Sequence, residues 1–129
     1  EEIQKPMWFG TVDALNVDLY DHEAAAPVLD SFPFYSNCRR LLTPEGCMTV
    51  NLFGRASSYA RSVEKISAAF GADAVWAFKP TREGNTVVLA QRTPSRPKRD
   101  LLARRAEVIE AQWGLPAQKW VRVFKPLVA

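Results

Sequence analysis

At 129 residues, with 47% hydrophobic and 24% charged positions, the chain has the size and balance of one globular domain. It contains no apolar run of about 18 residues, which excludes a transmembrane helix, and Glu1-Glu-Ile-Gln-Lys-Pro6 is too charged for a signal peptide, so a cytoplasmic protein is expected. The net charge is +3, and one histidine with two cysteines outside any Cys-x-x-Cys spacing builds neither a zinc site nor a serine-type triad readily.

The first element is Asp13-Ala-Leu-Asn-Val-Asp-Leu-Tyr-Asp21, a short apolar run ending in two carboxylates three residues apart and followed by His22. Ala14, Leu15 and Val17 suit a strand of a parallel sheet covered on both faces. Acids at the end of such a strand lie outside the carboxyl edge of the sheet, where open α/β folds bind ligands. There they can hold a cationic amine or take its proton. They also suit a plain loop that follows a strand and caps a helix. His22 titrates near neutrality and can relay a proton beside Asp21, or serve as a polar loop residue.

A loop through Ala24-Ala-Ala-Pro27 leads to Ser31, an N-cap with Pro33 in the first turn of a helix. Phe34, Cys38, Leu41 and Leu42 recur at helical spacing, and Thr43-Pro-Glu-Gly46 reads as the turn that ends it. Cys47-Met-Thr-Val-Asn-Leu-Phe53 is the second strand, whose end brings Asn51 to the ligand edge. Ser57 and Ser58 cap a helix with Tyr59, Val63, Ile66 and Phe70 on one stripe, closed by Gly71. Ala74–Phe78 and Asn85–Ala90 are two more strands, joined so closely that they pair antiparallel. Cys38 and Cys47 are expected as free thiols.

A proline-rich linker, Thr93-Pro-Ser-Arg-Pro97, follows. Asp100 is expected to cap a last helix with Leu101, Leu102, Val108, Ile109 and Trp113 facing inward and Gly114 at its end. Trp120 to Phe124 reads as a short extended tail. Between Arg92 and Arg105, six basic residues face one acid. With few aromatics among them, they read as a solvated linker and helix face rather than a nucleic-acid site. No membrane partner is expected either.

This order of elements resembles the second half of a class I AdoMet-dependent methyltransferase fold. Asp18-Leu-Tyr-Asp21, Phe34-Tyr35, Cys38 to Leu42, Pro44-Glu-Gly46 and Val50-Asn-Leu-Phe-Gly54 together resemble the C-terminal half of the spermidine synthase (polyamine aminopropyltransferase) family. Ala69-Phe-Gly71 and Gly84-Asn-Thr-Val-Val-Leu89 extend the similarity, which spans about residues 12 to 92. The fold class that follows is α/β: two parallel strands with helices, an antiparallel hairpin, and a C-terminal helix. Residues 1–92 would form the half Rossmann-like unit and residues 93–129 a basic linker, helix and tail.

The resemblance implies transfer of an aminopropyl group from decarboxylated AdoMet to a polyamine amine. Asp18 matches the acid that deprotonates and orients the attacking amine, and Asp21 the acid that holds substrate ammonium groups. Tyr20 and His22 are further candidates for substrate contact, and no metal is expected. Several features depart from the family pattern. Leu19-Tyr20 replace small residues between the acids, His22 replaces a proline, and Asn16 interrupts the strand. No Gly-rich turn and no ribose-binding acid occur in these 129 residues, so no cofactor is expected to bind this chain alone, and residues 1–12 read as the end of a helix. Competing readings are part of a small-molecule methyltransferase and a non-catalytic assembly module. The strand bearing Asp18 would be left as an open edge, covered either by Ile3, Met7, Trp8 and Phe9 or by a second copy, and a homodimer is expected.

Overall fold

The computed structural model of the chain describes residues 2–18, 30–53 and 56–128. Its elements are β1 (Val12–Asp18), α1 (Phe32–Leu41), β2 (Leu42–Phe53), α2 (Ala56–Phe70), β3 (Val75–Phe78), β4 (Asn85–Gln91), α3 (Arg99–Trp113), α4 (Ala117–Arg122) and β5 (Phe124–Pro126). One five-stranded sheet has the order β1-β2-β4-β3-β5, with β1 and β2 parallel and every other pairing antiparallel. The parallel pair, the hairpin and helices α1, α2 and α3 are those expected from sequence.

The core lies between α1, α2 and one side of the sheet. β2 alternates strictly from Cys47 on, so Met48, Val50 and Leu52 are buried while their neighbours are not. Val88 and Ala90 of β4 continue the same side, and Tyr35, Cys38, Val63, Ile66 and Phe70 close over it. Ser31 caps α1, its hydroxyl accepting from the Phe34 N–H at 3.3 Å. Gly71, at φ 95°, ends α2 in a conformation that side-chain-bearing residues rarely adopt.

A helix end leaves carbonyls without partners, and α1 shows where they go. The N–H groups of Gly10 and Thr11 donate to Arg40 and Leu41 at 2.9 Å each. Arg92 adds its guanidinium to the Leu42 carbonyl at 2.6 Å. Arg99 likewise donates to the carbonyls of Val121 and Phe124, at 2.5 and 2.7 Å. Two members of the basic cluster are therefore structural clamps rather than solvated charges.

Several expectations are corrected. Thr43–Gly46 lies inside β2 and not in a turn before it: Val12 pairs with Leu42 and Ala14 with Cys47, so the extra residues bulge outward. Gly46 is required there, because a Cβ would sit 2.8 Å from the Val12 carbonyl oxygen. Residues 2–8 form two short 3₁₀ turns instead of a helix end. β1 is covered on one side only. Val12, Leu15 and Val17 pack against the core, whereas Ala14, Asn16 and Asp18 are exposed.

The largest departures are at the C-terminus. The inward face expected for α3 holds only at its start: Leu101 and Leu102 are half-buried, but Val108 is 62% and Trp113 68% exposed, and Ala106 is the buried residue of that helix. α3 packs chiefly on α4, which begins where an extended tail was expected. The extended part is confined to β5, which pairs with β3 and stacks Phe124 on Trp76 at 4.8 Å between ring centres. No helix among the described residues is long and apolar enough to cross a membrane.

Candidate functional site

Asp18 is the last residue of β1, exposed, and in register with Asn51 of β2. Alternation places both on the side of the sheet away from α1 and α2. Asn51 accepts a hydrogen bond from the Asn85 side-chain amide at 3.0 Å, which draws the first residue of β4 into the same group. One step further along that side, the Thr49 hydroxyl donates to Asn16 at 2.6 Å. Asn16, which interrupts the apolar run, is thus a paired polar residue on the outer side.

The result is a polar strip at the carboxyl ends of the parallel strands. A carboxylate and amide oxygens lie together there on an accessible surface. Such a group offers acceptors to the N–H donors of a cation, and Asp18 supplies both charge and a site for a proton. Tyr20, Asp21 and His22 lie outside the described residues.

Asp30 is where sequence reasoning missed most. Its carboxylate accepts from the Tyr35 hydroxyl at 2.7 Å, the Ser62 hydroxyl at 2.9 Å and the Lys65 ammonium at 3.2 Å. Lys65 also donates to the Asp30 main-chain oxygen at 3.0 Å. Partial burial works against the charge on Asp30, but the three donors outweigh it and hold the carboxyl below its ordinary range. Burial, reinforced by the hydrogen bond to Asp30, pushes the Tyr35 phenol up and keeps it protonated. Asp30 itself is thus pinned to α1 and α2. The partners stand 32 and 35 residues from Asp30 in α2, with no motif to announce them.

Other groups are poor candidates for chemistry. Burial pushes the Cys38 thiol up to about 12 and raises that of Cys47, so neither supplies a thiolate near neutrality. Both cysteines are free; Cys38 is buried and Cys47 half-buried. Among the described residues, no group of His, Cys, Asp and Glu is placed to hold a metal ion.

No family model matches the chain. It is 27% identical over 117 residues to a polyamine aminopropyltransferase of Chromobacterium violaceum, covering 90% of this chain and 44% of the relative. Polyamine aminopropyltransferases of Neisseria meningitidis serogroups A and B are 29% identical over 114 residues, covering 88% of this chain and 43% of theirs. The chain thus spans less than half the length of these curated relatives.

Among solved structures, spermidine synthase from Thermotoga maritima superposes with a TM-score of 0.56 at 15% identity, over 82% of this chain and 36% of that one. A probable spermidine synthase from Corynebacterium glutamicum gives 0.56 at 16% identity, over 94% and 47%. A spermidine synthase in complex with the transition-state analogue AdoDATO gives 0.54 at 14%, over 82% and 35%. At these identities the superpositions speak for the fold. The aligned 117 residues run beyond the motif-bearing stretch of about residues 12 to 92. In sequence the chain is similar to polyamine aminopropyltransferases over less than half their length, and in fold it is similar to part of the spermidine synthases.

Proposed function

We propose that this chain is the amine-handling part of a cytoplasmic aminopropyltransferase. The observation that carries the reading is Asp18 at the exposed carboxyl end of a parallel strand, in register with Asn51. The similarity to curated aminopropyltransferases supports the substrate class. A polyamine is an array of ammonium groups, and an ammonium is not a nucleophile. Asp18 attracts the cation and accepts the proton the attacking nitrogen gives up. That nitrogen then forms a bond to the aminopropyl carbon of decarboxylated AdoMet, while the carbon–sulfur pair returns to sulfur and methylthioadenosine departs. Asp21, Tyr20 and His22 hold the rest of the amine chain in this reading.

The same reading assigns amine binding to residues 1–92, with residues 93–129 as an appended segment that closes the far edge of the sheet. These 129 residues contain no glycine-rich turn for a cofactor and are proposed to turn over no substrate unaided. β1 is at the sheet edge, and in the segment before it Met7 is 70% and Trp8 42% exposed, while Ile3 packs against the core. An isologous dimer across this edge pairs it and ends growth. Sedimentation at micromolar concentration should give a dimer, and a monodisperse monomer contradicts that part of the reading.

Calorimetric titration of spermidine into the chain tests the amine site. Asp18→Asn should weaken binding about 10- to 100-fold, the loss expected for a charge-assisted contact. Equal affinities for the two proteins would reduce Asp18 to a loop residue. AdoMet should bind weaker than ~1 μM, about −8 kcal/mol. Tight AdoMet binding would show that these residues hold a complete cofactor site.

A further inference from the structure

At the edge of the sheet opposite Asp18, β3, β5 and the end of α4 enclose a depression of about 410 Å³. Ala77, Phe78 and Val123 supply its apolar wall, and Lys79, Arg122 and Lys125 its charge. Lys125 is in register with Ala77. Lys79 follows β3 directly, and its backbone N–H donates to the Val123 carbonyl at 2.9 Å, which fixes two walls against each other. Arg122 ends α4, and its side chain reaches only its own helix, at Gln118 and 3.4 Å.

Among the described residues, no acid forms an ion pair with these cations: the ion pairs are Lys5–Glu2, Lys65–Asp30 and Arg104–Asp100. Beside two of the lining residues, Arg99 donates to the carbonyls of Val121 and Phe124 and adds a further positive charge to this part of the chain. Three cations held in one concavity repel one another, and a bound anion relieves that repulsion.

We propose that this depression is a binding site for a small multivalent oxyanion carrying linked phosphate groups. Arg122 presents a planar fork that takes two oxygens of one phosphate, while Lys79 and Lys125 act as point charges on the next. The apolar wall excludes water from one side and strengthens each contact. A single orthophosphate offers one tetrahedral group to three cations, whereas linked phosphates offer several, so linked phosphates are the better match. A nucleotide and an inorganic polyphosphate share this chemistry.

Calorimetric titrations with orthophosphate, tripolyphosphate and ATP without divalent cations test the proposal. Tripolyphosphate should bind at least about 10-fold more tightly than orthophosphate. Lys79→Gln, Arg122→Gln and Lys125→Gln should each weaken it about 3- to 10-fold, and the triple variant should lose it. The Arg104→Gln/Arg105→Gln variant, altering exposed charges on α3, should bind as the parent does, as should Asp18→Asn. Tighter binding of ATP than of tripolyphosphate would identify a nucleotide, and equal binding the phosphate chain alone. Undetectable tripolyphosphate binding, a triple variant that binds like the parent, or an equal loss on altering α3 overturns the proposal.

Discussion

The two sides of the sheet are made by alternate residues of the same strands, and they do different work. On the side under α1 and α2, Met48, Val50, Val88 and Ala90 are fully buried in the hydrophobic core. On the other side the same strands present Asn16 with Thr49, Asn51 with Asn85, and Asp18. The difference teaches that fold stability and recognition are separable here at single-residue spacing. A substitution one position along β2 changes which of the two is lost.

The sharpest way to break this comparison is a pair of neighbouring substitutions. Met48→Ala should destabilise the fold by about 2–5 kcal/mol, from lost burial and the cavity left behind. Thr49→Ala removes one exposed hydrogen bond and should cost about 1 kcal/mol or less. Urea unfolding of both variants measures this, and equal costs would mean that the outer side is as much core as the inner.

An intermediate effect is expected at Asp30, whose carboxylate ties α1 to α2. Asp30→Asn should cost about 1–3 kcal/mol, since Tyr35, Ser62 and Lys65 lose a charged acceptor. Its carboxyl is lowered in the folded state. The stability it contributes is therefore fully present above the unfolded carboxyl value near ~3.9 and is lost as pH falls through the lower folded value. Denaturation below about pH 4 should accordingly be shallower in Asp30→Asn than in the parent. Parallel pH profiles would show that the cluster carries no net charge-linked stability.

The smallest effect belongs to α3. Trp113→Ser should change stability by no more than about 0.5 kcal/mol, because the side chain is largely exposed. A cost above about 2 kcal/mol would place Trp113 in an interface that buries it in solution.

What was legible in the sequence follows the same division. β1, the Ser31 cap, the α2 stripe and the β3–β4 hairpin are each written in local spacing, and the chain adopts them. Periodicity names a face but not what it meets, so Val108 and Trp113 recur at helical spacing with no layer to receive them. Turn residues misled at Thr43–Gly46, where the same chemistry makes a bulge inside a strand. At the site, Asp18 and Asn51 were visible as strand ends. Asp30 with Ser62 and Lys65, and Asn85 with Asn51, were not, because only tertiary folding joins them.

The central claim is that the outer side of the sheet at Asp18 is where an amine binds. Backbone amide NMR during a spermidine titration tests it most directly. The account predicts shifts concentrated at Asp18, Asn51 and Asn85, little change at Met48 and Val50, and loss of the whole pattern in Asp18→Asn. Shifts scattered over the acidic surface, or retained in Asp18→Asn, would contradict it.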